Sequence, residues 1–251
     1  MNKTSRHPIL IGCETIITEA LPFLDRPVSF EAVEAGLHAD AARLTNALRA
    51  ATARADGRFD PIILGYGLCA NAVVGIKTEQ STLIVPRVDD CIAAMLGSSA
   101  TYRTLMKENP GAFFLSRGWI ISGITPLDEF RQLSERYGET RARRLQQQMF
   151  RHYQRLIYVD TKGDDDAGYE VQASAVAGHM ELAYQKIKGT ADLLKAMAQG
   201  PWDDRFIVCP PGRAIALSDF ALCEASPDGR FCGRHGQPNV ENGADKKSQT
   251  P

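Results

Sequence analysis

No apolar run in this chain approaches the roughly 18 residues needed to cross a bilayer, and that absence argues against a membrane-spanning role. The start, MNKTSRHPILIG, has neither the apolar core nor the small-residue cleavage site of a secretory signal, so the expected location is cytoplasmic. Charge of one sign is not in excess. Lys and Arg number 29 against 30 Asp and Glu, a net charge of −1 that gives no bias toward nucleic acid, membrane surfaces or acidic partners. No CxxC pair occurs, which removes the common spacing of zinc ribbons and dithiol redox sites. No internal repeat is present, and the one Gly-x-Gly turn (Gly65-Tyr66-Gly67) lacks the second half of a dinucleotide fingerprint.

What the sequence does contain is an alternation of short apolar runs and helical patterns. At 251 residues, 44% hydrophobic and 24% charged, it can bury a full core as one large α/β domain or two lobes. Strands are expected at Pro8–Gly12, Val28–Gly36, Pro61–Gly65, Leu83–Val85, Ala112–Ser116, Leu156–Val159 and Arg205–Cys209, with Met180–Ile187 a further candidate. Helices are expected at Ala39–Arg54, after Cys91, over the ATYRTLMKENPG segment, from Pro126 to about Tyr153, from Ala167 to Ala177 and over Thr190–Gln199. The expected fold is α/β, a mainly parallel sheet flanked by helices, in two Rossmann-like lobes with a cleft at the carboxyl ends of the strands. The lobes would span 1–125, with four or five strands, and 126–215, with two or three. Residues 216–251, Gly-, Asn-, Asp- and Lys-rich from about Ser226, read as a largely disordered extension.

Phe59–Gly97 is the central stretch. Its two apolar runs each end in a turn carrying a cysteine, GYGLCAN with Cys69 and PRVDDC with Cys91. A third thiol, Cys13, ends the first strand, and His38 follows the second. Thiolates and imidazole from several strand ends are the donors that suit zinc or an iron–sulfur cluster. The alternatives are a thiol nucleophile without metal, and cysteines that only pack as small hydrophobes. Asp90 and His38 are candidates for acid–base work, His38 also for a fourth ligand. Gly67, Asn71, Arg87 and Trp119 are candidates to bind a cofactor or substrate, the glycine by bare backbone, and the Arg117-Gly118-Trp119 segment could supply a guanidinium and an aromatic wall. Glu14 and Asp89 are polar neighbours of the same loops, and the acidic pair Asp89-Asp90 also suits a helix N-cap. Cys209 is an outside candidate. The Cys232/His235 pair and Cys223 lie in the tail, and the Arg-rich helix carrying Arg141, Arg143, Arg144 and Arg151 reads as a solvated face.

The strand ending in Gly-Cys-Glu, then ILGYGLCANAVVGI, LIVPRVDDCIAAMLGS and the aromatic strand into SRGWI together resemble the domain-of-unknown-function family numbered 1638 over about residues 8–215. That family typically has His where Asp89 stands, giving HDC in place of this chain's DDC. The remaining candidates, Cys13, Cys69, Cys91 and His38, match its pattern. The resemblance implies a setting beside corrinoid-dependent methyltransferase systems for methylated amines. The expectation is a Cys-ligated Zn2+ enzyme acting on a small molecule in one-carbon transfer. The alternative is a non-enzymatic iron–sulfur or corrinoid-binding accessory protein, and in either case a corrinoid protein or methyltransferase is the expected partner.

Overall fold

The computed structural model describes residues 6–25, 27–34, 36–37, 40–162 and 167–221. The chain divides into two units, Met1–Phe220 and Ala221–Pro251, and every element below belongs to the first. His38, Cys223, Cys232 and His235 lie outside the described residues, as does all but the first part of the 216–251 extension.

Strands β1 (Ile9–Cys13), β2 (Ser29–Val33), β3 (Ile62–Gly65), β4 (Leu83–Pro86) and β8 (Phe206–Cys209) form one sheet in the order β2-β1-β3-β4-β8. The first four are parallel, and β8 joins the β4 edge antiparallel, Ile84 opposite Val208. The α/β expectation of a mainly parallel sheet therefore holds. Successive side chains of a strand point to opposite faces, and here each face has its own core. Ile9, Ile11, Leu64 and Val85 pack on one side with Leu44, Leu48, Ala51 and Ala55 of helix α2 (Ala41–Ala55). Leu10, Ile63 and Ile84 pack on the other with α1 (Glu14–Ala20), α3 (Cys91–Met95) and α9 (Asp192–Gln199). Burial on both faces is what lets these strands read as continuous apolar runs.

A second sheet, entirely parallel, has the order β5-β6-β7, from Ala112–Ser116, Arg155–Asp160 and Ala183–Lys188. Leu115, Leu156 and Tyr158 pack there against Ala173, Val176 and Ala177 of α8 (Ala167–His179). The sheets interleave in the chain: β5 precedes Pro126 yet belongs to the second sheet, and β8 returns to the first.

Two readings of the sequence are corrected. The long helix expected from Pro126 to about Tyr153 is two helices, α6 (Pro126–Tyr137) and α7 (Glu139–Phe150). Gly138 ends one and starts the other with φ of 78°, a conformation that costs glycine least. Thr125 and Asp128 close a capping box at the start of α6, each side chain bonding the other's backbone N–H. The stretch after Ser116, given no element from the sequence, is the short helix α5 (Arg117–Ile121).

The two sheets meet at Gly118 and Glu19. Helix α5 comes so close to α1 that a Cβ on Gly118 would lie 2.6 Å from the Thr15 carbonyl oxygen. Glu19, fully buried, accepts hydrogen bonds from the Gly118 N–H at 2.6 Å, from Thr161 Oγ1 at 2.7 Å and from Ser116 Oγ.

Candidate functional site

Because β1, β3 and β4 are neighbours, their carboxyl ends bring three turns to one edge of the sheet. Cys13 is the last residue of β1 and caps α1, its Sγ accepting from the Ile16 N–H at 3.5 Å. Asp90 caps α3, Oδ1 accepting from the Ala93 N–H at 2.9 Å, and Cys91 is the first residue of that helix. Cys69 sits between them on the turn after β3. Its N–H bonds the Asp89 carbonyl at 3.0 Å, and the Leu68 N–H bonds Val88 at 2.9 Å, so this turn is stitched to the one before α3. Cys69, Ala70 and Asn71 are consecutive left-handed residues, with φ of 43°, 55° and 68°. Such strain in non-glycine residues clusters at functional sites because the surrounding structure must hold it in place.

The three thiols line one cleft of about 630 Å3, with Asp90, Tyr66 and Trp119. Much of its wall comes from outside the five-stranded sheet: Tyr102 and Met106 of α4 (Ser99–Glu108), Phe113 and Phe114 of β5, and His152 and Tyr153 beyond α7. Cys13, Cys69 and Cys91 are each half-buried and free of disulfide. Burial raises all three thiols, Cys69 to about 12, with the charge of Asp90 and then Cys13 adding to the burial there. Cys91 is raised by burial first and then by the charge of Cys13, Asp90 and Cys69. Burial likewise lifts the Asp90 carboxyl above its ordinary range, although Ala93 N–H and the Tyr102 hydroxyl both stabilise its charged form. The Tyr66 hydroxyl is buried in the same place with no hydrogen-bond partner among the described residues, and burial and the three sulfurs raise it strongly.

Raised thiols make a testable statement, because only the thiolate is nucleophilic. In metal-free protein, iodoacetamide labelling of Cys13, Cys69 and Cys91 read by mass spectrometry is expected to be slow near neutral pH. It should still be climbing past about pH 9, above the titration of free cysteine near 8.5. A plateau below about pH 8 would contradict it. The sign for stability follows: unfolded thiols release protons in that range while folded ones retain them, so the fold weakens as pH rises.

Other sequence candidates go elsewhere. Arg87 does not line the cleft. Its guanidinium donates to the backbone carbonyls of Asp204 at 3.1 Å, Phe206 at 3.3 Å and Asp219, clamping β8 and the segment after it. Gly67 uses its bare backbone against the protein itself, since a Cβ there would lie 2.5 Å from Val88 O. Asn71 and Glu14 are exposed and outside the cleft. Asp89 is not the helix cap: it takes Arg103 bidentately, at 2.8 and 3.0 Å, on the outer side of the turn. Cys209 is buried in the first core, its Sγ donating to the Arg213 carbonyl at 3.1 Å. Arg141, Arg143, Arg144 and Arg151 are exposed, as a solvated face requires. Tyr66, Tyr102 and the Phe113-Phe114 wall were not among the sequence candidates. The only sequence signal for Tyr66 is its place inside the GYG turn.

Fold and site together define a layered α/β protein that gathers thiols, a carboxyl group and aromatic rings at the carboxyl ends of its strands. The chain belongs to the family described as protein of unknown function (DUF1638), which residues 32–198 match. Cys69 and Cys91 fall within the matched span and Cys13 before it. No curated protein and no solved structure matches the chain.

Proposed function

We propose that the protein is an enzyme acting on a small molecule in this cleft, with Cys13, Cys69 and Cys91 holding a thiophilic metal, zinc by preference. The observation that carries the reading is three thiols from three adjacent strand ends opening into one cleft. Among the described residues no group of three or more His, Cys, Asp or Glu side chains stands close enough together to hold a metal ion. The donor chemistry fits nonetheless. The thiols are raised, a carboxyl group stands beside them, and no Lys or Arg is among the described residues lining the cleft. Such a site lacks the positive charge that deprotonation needs, and the orphaned Tyr66 hydroxyl lacks an acceptor. Bound zinc holds thiolates deprotonated near neutral pH and serves as a Lewis acid.

The chain's own groups divide the remaining work. Asp90, raised by burial and held by the Ala93 N–H and Tyr102, is the acid–base group. Tyr66 offers a hydrogen bond to what binds beside the sulfurs. Trp119, Phe113 and Phe114 shape the apolar side and exclude water. His38, the fourth ligand suggested by sequence, lies outside the described residues. The tie to corrinoid-dependent methyl transfer from methylated amines is retained on the family resemblance alone.

Anaerobically purified protein is expected to hold about one zinc per chain, with Cys13→Ser, Cys69→Ser and Cys91→Ser each weakening zinc at least tenfold, on the order of 1.4 kcal/mol. Elemental analysis and competition with a chromogenic chelator read both quantities. Metal-free protein whose zinc uptake is indifferent to all three substitutions would end the metal reading. A brown protein with visible absorption would move it to an iron–sulfur carrier.

A further inference from the structure

The cleft has a neighbour. A second hollow of about 490 Å3 lies behind Ile92, Phe113, Phe114 and Trp119, which line both, and carries Glu129 of α6 on its far side. Ionisable groups on the two linings are acidic apart from the thiols, Tyr66, Tyr102, Tyr153 and His152: Asp90 and Glu34 in the first, Glu129 in the second. Among the described lining residues neither hollow has a Lys or Arg. Six aromatic residues (Tyr66, Tyr102, Phe113, Phe114, Trp119 and Tyr153) line the first. Aromatic faces carry negative potential and attract organic cations, most strongly where water is excluded. A cavity of this volume is in the range that takes ligands of drug or nucleoside size, far more room than a single alkylated amine fills.

We infer that the site takes an organic cation with a sizeable apolar body. Its positive centre is held by Asp90 and the ring faces around it, and its body lies along the wall of Ile92, Phe113, Phe114 and Trp119. The inference rests on the cleft being the ligand site proposed above, but not on the metal. Tyr66 is 5% exposed, and its buried hydroxyl, unpartnered among the described residues, would donate to an acceptor on the same molecule.

The full chain, stripped of metal by a chelator, is titrated calorimetrically with benzyltrimethylammonium and, separately, with benzenesulfonate, two probes of similar size and opposite charge. The cation is expected to bind at least tenfold more tightly, and Asp90→Asn to reduce its affinity at least fivefold. Asn is as good an N-cap as Asp, so this variant keeps α3 while losing the charge. The comparison of the two probes on unsubstituted protein needs no variant to fold. Equal or tighter binding of the sulfonate, or an Asp90→Asn protein that binds the cation unchanged, would overturn the inference. Cation binding without zinc uptake would end the metal reading and leave this one standing; zinc uptake without cation preference would do the reverse.

Discussion

Glu19→Ala is expected to lose about 3 kcal/mol or more, while Glu19→Gln loses about 1 kcal/mol or less. Truncation strands two buried hydroxyl donors, Ser116 Oγ and Thr161 Oγ1, each costing about 1–3 kcal/mol, and leaves the Gly118 N–H only its longer 3.2 Å bond to Ser116 Oγ. The glutamine keeps most of the network for a geometric reason. Ser116 and Gly118 both donate to Oε1, and Thr161 alone to Oε2. An amide can place its oxygen toward the first two and its NH2 toward Thr161, whose hydroxyl then accepts. In a domain of this size 3 kcal/mol corresponds to roughly 6–12 °C in Tm. Thermal and urea melts of both variants check the contrast, and a glutamine variant as damaged as the alanine would show that the charge itself, rather than the hydrogen bonds, joins the two sheets.

Gly67→Ala should cost about 3 kcal/mol and at least a hundredfold in zinc or cation affinity. Its Cβ would sit 2.5 Å from Val88 O and 2.9 Å from Asp90 N, both backbone atoms that no rotamer change can clear. Overpacking of this kind costs about 1–3 kcal/mol. Parting the turns also strains the Leu68–Val88 and Cys69–Asp89 hydrogen bonds, each worth about 1 kcal/mol. The same displacement carries Cys69 away from Cys91 and Asp90, which is why the site should suffer more than the fold. Gly178→Ala is the control: nothing lies within 4 Å of its Cβ, and inside α8 alanine is favoured over glycine by about 1 kcal/mol. If Gly67→Ala binds as the parent does, the stitched turns do not position the thiol.

The three cysteines were legible because each follows an apolar run instead of lying within it, and a strand ending in a turn fixes where its next side chain goes. The same rule failed for Arg87. It leaves β4 as the cysteines leave their strands, but its partners are carbonyls at residues 204, 206 and 219, which no local pattern joins to it. Asp89 and Asp90 both precede a helix, and only the start of α3 at Cys91 decides between them. The aromatic wall was out of reach for another reason: Phe113 and Phe114 read as an ordinary buried strand until the second sheet is set beside the first. Gly138 interrupts a pattern whose apolar spacing continues on both sides, so periodicity alone runs two helices together.

The late return of β8 has a consequence for how the protein is made. Synthesis lays down β1 to β4 early, but the β4 edge stays open until residues 206–209 have left the ribosome, with the whole second sheet between them. Nascent chains shorter than this carry an unpaired apolar strand, a template for wrong pairing. Arg87, whose bonds all go to the returning segment, closes that edge last. Stalled or truncated products should therefore depend on chaperones until the final strand arrives.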